Sequence, residues 1–173
     1  MEHILAHDFE FIEEFVLFCG EPRYRAKQIW AGLYKQYYEK WIDFSNLPKS
    51  LISGLSKRFD ILPLKLIKEE KTIDGFTNKT LFELNDGLFI ESVHLINNKR
   101  NTICVSTQAG CPVGCVFCAT GAMGFSRNLN SSEIIGQILF FAKSFRSIGE
   151  KIHNIVFMGM GEPLMNYNNL IES

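Results

Sequence analysis

The sequence runs to 173 residues, 46% hydrophobic and 13% aromatic, with a formal net charge of −1. That length suits one ordinary domain, or a small domain joined to part of a larger one, and no apolar run reaches the ~18 residues of a membrane helix. The acidic start lacks the basic region of a secretory signal, and five cysteines, four of them between 104 and 118, argue against a secreted disulfide scaffold and for a reducing cytoplasm. Charge is uneven along the chain. Residues 1–20 carry five acids and no Lys or Arg, whereas residues 21–71 carry eleven Lys or Arg against six acids. Such a basic stretch can meet a phosphate backbone; solvated helix faces account for it equally well.

The first element, "DFEFIEEFVLFCG", reads as a helix capped by Asp8, with Phe11, Phe15 and Phe18 on one face and Gly20 at its end. Cys19 is expected to be a small buried apolar residue. Pro22 then opens a second helix, "PRYRAKQIWAGLYKQYYEK", with Ile29, Leu33 and Tyr37 as its stripe. "LPKSLISGLSKRF" is a shorter third helix. From residue 64 the pattern changes to β-formers in "LKLIKEEKT", "NKTLFEL" and "GLFIESVHLI", separated by Asp-Gly and Asn-Asp-Gly turns, which predicts an antiparallel meander. "NTICVST" is a further strand. "SSEIIGQILFFAKSF" is a helix with Ser at its head and Ile134, Ile138 and Phe141 in register, and "HNIVFMGM" is a short apolar strand of the kind buried in a parallel sheet. Strand, loop, helix and strand together make a βαβ unit.

Between "NTICVST" and that helix lies a loop with Cys111, Cys115 and Cys118 at C-x3-C-x2-C spacing. Gly110, Pro112 and Gly114 let the backbone bend sharply enough for three sulfurs to face one point. Three thiolates from one loop leave one iron of a cubane cluster open to a small chelating molecule. A zinc site completed by Cys104 is the alternative, although zinc sites usually pair two C-x2-C knuckles from separate segments. After the second strand comes "MGMGEP". Gly159 and Gly161 let a ligand approach backbone carbonyls, and Glu162 offers a carboxylate to an ammonium group. Alone, Gly-Glu-Pro could be merely a turn. Met158, Met160 and Met165 read as packing residues.

The cysteine loop, with Phe117 before its last cysteine, resembles the radical S-adenosylmethionine (SAM) superfamily. That resemblance implies a [4Fe-4S] cluster on Cys111, Cys115 and Cys118, SAM on the open iron, and Gly161 and Glu162 near the SAM amino group. The wider stretches "ESVHLINNKRNTICVSTQAGCPVGCVFCATGAMGFSRNLNSSEIIGQI" and "NIVFMGMGEPLMNYNNL" resemble the RlmN family, which methylates C2 of adenosine in 23S rRNA and, in some bacteria, tRNA. "GEPRYRAKQIWAGLYKQ" resembles that family's helical accessory domain. Pro163 and "FSRNL" favour it over the related Cfr-type enzymes, which methylate C8. In the family a methyl group passes from one SAM to a cysteine sulfur, a second SAM yields a radical that activates it, and the methylene is joined to adenine. By this resemblance Cys104 is the resolving cysteine that frees the product, and Glu91 is the acid–base group that removes the adenine C2 proton. Read without it, Cys104 is a core strand residue and Glu91 a solvated carboxylate. Gln108, Arg127 and Asn128 are candidates to support the cluster or RNA backbone; His94 and His153 are expected to be structural.

The expected architecture is therefore α/β. A helical accessory region and β-meander occupy residues 1–96, and the first part of a radical SAM (β/α) barrel, truncated, occupies 97–173. The partners that this resemblance implies are 23S rRNA and, as in some bacteria, tRNA, together with a one-electron donor such as flavodoxin or ferredoxin and a missing C-terminal half; no membrane is expected. The family's methyl-carrying cysteine lies late in a chain about twice as long, and no cysteine follows Cys118 here. The isolated chain is accordingly expected to lack a complete methylation cycle and to expose an apolar sheet edge. The competing reading is an RNA-binding module stabilised by a structural metal.

Overall fold

Residues 1–63 hold three helices and one pair of short strands, and residues 64–173 hold the main sheet with its crossover helix; the computed structural model covers all 173 residues. In the first unit, β1 (Glu2–His3) pairs in parallel with β2 (Phe59–Asp60), and between them run α1 (Phe9–Phe18), α2 (Tyr24–Tyr34) and α3 (Lys49–Arg58). Asp8 caps α1, its carboxylate accepting the Phe11 N–H at 2.8 Å. The fully buried side chains of α1 are Ile12 and Val16, not the expected phenylalanine row. Phe18 is exposed, while Phe11 and Phe15 are half-buried beneath the Arg58 guanidinium, which lies 5.6 Å from each ring. Cys19, one residue past the helix, is exposed rather than buried.

The second helix is shorter than its periodicity suggests. The Lys35 and Gln36 N–H groups both donate to the Ala31 carbonyl, and Tyr37 takes a φ of +57°. That left-handed residue ends the helix and removes Tyr37 from the Ile29–Leu33 stripe. α3 buries Leu51 and Leu55 as expected.

The second unit is built on a five-stranded sheet in the order β3 (Leu64–Lys71), β4 (Thr77–Leu84), β5 (Phe89–Asn97), β6 (Arg100–Cys104) and β9 (Asn154–Val156). The first three neighbours are antiparallel, as the meander pattern predicts, and β6–β9 is parallel. Because the meander shares its sheet with β6 and β9, the units divide after Pro63, whereas the sequence reading divided them after residue 96. Between β6 and β9 lie β7 (Gln108–Gly110), α4 (Ala119–Ala122), β8 (Phe125–Asn128) and α5 (Ser131–Ser147); α6 (Tyr167–Glu172) ends the chain. β7 and β8 form a small antiparallel pair across the base of the cysteine loop.

α5 is the crossover that a parallel pair requires. Its cap is Asn130, not a serine. The Asn130 side chain accepts the Glu133 N–H at 2.9 Å, and Glu133 returns to the Asn130 N–H at 3.0 Å. Ile134, Phe141 and Phe145 of α5 pack with Phe82, Ile90 and Ile103 on one face of the sheet. β9 has only β6 beside it, so Ile155 is exposed at the edge instead of buried.

Candidate functional site

The turns leaving β6 and β9 are tied together strand by strand. The Thr107 N–H donates to the Met160 carbonyl at 2.9 Å, and the Gly159 N–H to the Val105 carbonyl at 3.1 Å. Ser106, fully buried, joins three segments through one hydroxyl, which donates to the Glu91 carbonyl at 2.5 Å and accepts the Met160 N–H at 2.8 Å. Behind it sits Gln137 of α5, also fully buried. Its oxygen accepts from the Ser92 hydroxyl at 2.6 Å and the Ser106 N–H at 2.9 Å, and its nitrogen donates to the Ser106 carbonyl at 3.0 Å.

The glycine–glutamate turn is held by Gln108. Its side-chain oxygen accepts the Glu162 N–H at 2.8 Å, and its nitrogen donates to Asn128 at 2.8 Å. Gly161 has a φ of +103°, and a Cβ there would lie 2.6 Å from the Gln108 Cβ, so both conformation and space demand glycine. The Glu162 carboxylate accepts the Leu164 N–H at 3.1 Å and starts a 3-10 turn over Pro163–Asn166. Asn166 then donates to the Thr107 and Leu129 carbonyls at 2.8 and 2.7 Å, closing the turn onto β7 and β8.

Arg127 is committed to protein carboxylates: it donates to Asp86 at 2.6 Å and as a fork to Glu133 at 2.8 and 2.9 Å. Those hydrogen bonds, Glu133 first, push its proton affinity further up. Gln108 and Asn128 thus brace the turn, and Arg127 ties β8 to α5. His94 and His153 both serve Asn101. His94 Nε2 lies 3.0 Å from the Asn101 side-chain oxygen, and His153 Nδ1 accepts the Asn101 N–H at 3.1 Å.

The cysteine loop is pinned at its base. Gly110 has a φ of +78°, and a Cβ there would meet the Gly124 carbonyl oxygen; the Cys111 N–H donates to that same oxygen at 2.9 Å. Farther out, the Cys118 N–H donates to the Cys115 carbonyl at 3.0 Å. The Gly121 N–H, followed by that of Thr120, lowers the pKa of the Cys118 thiol. All three thiols are free of disulfides and at least partly exposed, and Val116 and Phe117 point into solvent. Three free thiols in one loop are the right donors for an iron–sulfur cluster. No group of three His, Cys, Asp or Glu side chains is arranged to hold a metal ion in this structure.

Glu91 and Cys104 are brought to one face of the sheet. Val93 pairs directly with Cys104, and Glu91 lies two residues before Val93 on β5, so all three side chains leave the sheet on the side opposite α5. Cys104 is 8% exposed, and burial pushes its thiol pKa up, partly offset by the Met158 N–H. Glu91 is half-exposed and paired with Lys79 at 3.0 Å.

Sequence reasoning missed Ser106, Gln137, Lys79 and Asn166. Gln137 alone carried a visible signal, an amide three residues after Ile134 on the apolar stripe of α5, where a polar side chain must find buried partners.

No protein-family model matches the sequence. The chain is 44% identical over all 173 residues to the probable dual-specificity RNA methyltransferase RlmN of Dictyoglomus thermophilum, covering 49% of that protein. It is 43% identical over 171 residues to the RlmN of Streptococcus pneumoniae serotype 4, covering 98% of this chain and 46% of that one. Among solved structures it matches a radical SAM methyltransferase from Sphaerobacter thermophilus with a TM-score of 0.94 at 41% identity, over 99% of this chain and 50% of that one. The chain spans about half the length of the curated relatives it matches.

Proposed function

The chain is homologous along its whole length to RNA methyltransferases named RlmN, and on that footing we propose that it supplies the cluster-bearing and acid–base portion of a radical SAM enzyme that methylates C2 of adenosine in 23S rRNA or tRNA. Cys111, Cys115 and Cys118 would hold a [4Fe-4S] cluster, and Gly161 and Glu162 would meet the amino group of SAM; once bound, that pair supplies the one-electron chemistry that C2 of adenine needs. The single observation that carries the reading is the shared sheet face of Glu91 and Cys104. An sp2 carbon that gains a substituent must lose its proton, and a carboxylate at Glu91 can accept it. The product then remains tied through a methylene to a carrier sulfur from outside these residues. The deprotonated Cys104 sulfur can attack that sulfur, forming a disulfide as the carbon–sulfur bond breaks, and the released carbon keeps the bond's electron pair and takes up a proton to become the product methyl group. The high proton affinity of Cys104 keeps it a thiol until a base takes its proton.

The test is anaerobic reconstitution of the chain with iron and sulfide. The expected result is about four iron atoms per chain and broad absorbance near about 400 nm, perturbed by SAM and absent in Cys111→Ala. A colourless chain binding stoichiometric zinc through Cys104, with salt-dependent RNA affinity that survives Cys111→Ala, would overturn it in favour of a binding module.

A further inference from the structure

The sheet face that carries Glu91 and Cys104 also carries a row of charges running across three strands. Lys68 and Glu70 stand on β3, Lys79 on β4 and Glu91 on β5, and the registers Glu70↔Lys79 and Leu81↔Glu91 put Lys79 beside the first carboxylate and diagonal to the second. Its ammonium lies 3.0 Å from Glu91 Oε1 and 3.8 Å from Glu70 Oε2, and Glu70 is itself paired with Lys68 at 2.5 Å. The other acid diagonal to Glu91 is Glu83, which is drawn off by Lys65 at 2.8 Å. From β6, Cys104 and, at the far end of that strand, Arg100 stand on the same side. Glu91 therefore has one cation in contact, and that cation is bracketed.

We propose that Lys79 is a positioning residue: its ammonium, held between Glu70 and Glu91, fixes the Glu91 carboxylate on the face shared with Cys104. The proposal rests on the acid–base reading of Glu91. Lys79 and Glu91 are each almost half-exposed, so the pair contributes little to folding. Its consequence is geometric. A carboxylate on a two-carbon stem samples several rotamers, and a proton acceptor works only when it is within hydrogen-bond reach of the leaving proton.

Two readouts test this. In the 173-residue chain, the Lys79 ammonium followed by NMR should titrate above an ordinary lysine, chiefly through the Glu91 hydrogen bond. Glu91→Gln should remove most of that displacement and Glu70→Gln less. In cluster-loaded enzyme completed by the portion that supplies the carrier sulfur, Lys79→Met should lower kcat about tenfold with the KM for RNA unchanged, and Lys79→Arg should restore most of it. A raised KM with intact kcat would make Lys79 an RNA phosphate contact and overturn the proposal. An ordinary Lys79 titration, unmoved by Glu91→Gln, overturns the pairing itself. Full kcat in Glu91→Gln removes the acid–base reading and the functional half of the proposal with it, while leaving the NMR coupling intact.

Discussion

Gln137→Leu tests whether the turns of the candidate site are held by one buried amide. The substitution nearly conserves volume, so packing changes little, and the loss comes from hydrogen bonds. The Ser106 N–H and carbonyl and the Ser92 hydroxyl lose partners at 2.9, 3.0 and 2.6 Å, and both serines are fully buried. A stranded buried group costs about 1–3 kcal/mol. The serine hydroxyl can rotate, and leucine adds apolar burial, so a net loss of about 3 kcal/mol is expected. Urea unfolding followed by far-UV circular dichroism reads the sheet. Trp30 and Trp41, the chain's two tryptophans, both lie in the first unit and provide an independent fluorescence signal from it. The expected outcome is a lower dichroism midpoint with an unchanged urea slope and faster exchange of the Ser106 amide hydrogen. Ile138→Val, a neighbouring half-buried change expected to cost about 1 kcal/mol, is the packing control. If Gln137→Leu costs no more than that control, the amide does not brace the site.

Gly161→Ala should destabilise by about 1–3 kcal/mol, because alanine must either hold a positive φ or push into Gln108; faster exchange of the Glu162 N–H would locate the damage, and an unmoved urea midpoint would refute it. The acid limb of stability should depend on Asp86. Its folded pKa is lowered from 3.8, first by the Arg127 hydrogen bond, so the stabilisation is complete above that ordinary value and is lost as pH falls through the lower folded one. The gap in midpoint between the wild type and Asp86→Asn should therefore narrow from about pH 6 to about pH 3; a gap that is constant over that range would refute the coupling.

How much of this was legible in the sequence varied with the length of the interaction. Asp8 as a cap, the β-period from residue 64 and the apolar stripe of α5 were readable because each depends on residues a few places apart. The end of α2 was not, since nothing in "KQYY" marks Tyr37 for a left-handed conformation. The common face of Glu91 and Cys104 is the instructive case. Asn98 and Lys99 take φ of +48° and +61°, a two-residue turn that sets Asn97 opposite Arg100. Counting back four residues from one and forward four from the other puts Val93 opposite Cys104, and Glu91 follows on the same face. Asparagine at the first position was a usable turn signal; lysine at the second, where glycine is usual, hid it.

The cysteine loop was the clearest feature of the sequence, yet it is where the fold does least. Its two ends are clamped by the β7–β8 pair and by the contact of Gly110 with Gly124. Within it, Val116 and Phe117 are exposed, so no apolar anchor fixes the path from Cys111 to Cys118. Packing thus sets where the loop starts and finishes, and leaves the approach of the three sulfurs to a different source of energy. Metal–thiolate bonding is strong enough to order a short loop on its own, and iron bound by this chain would spend part of that binding energy on gathering the thiols. A spacing motif can then name the ligand set while packing fixes only the two ends of the loop that carries it.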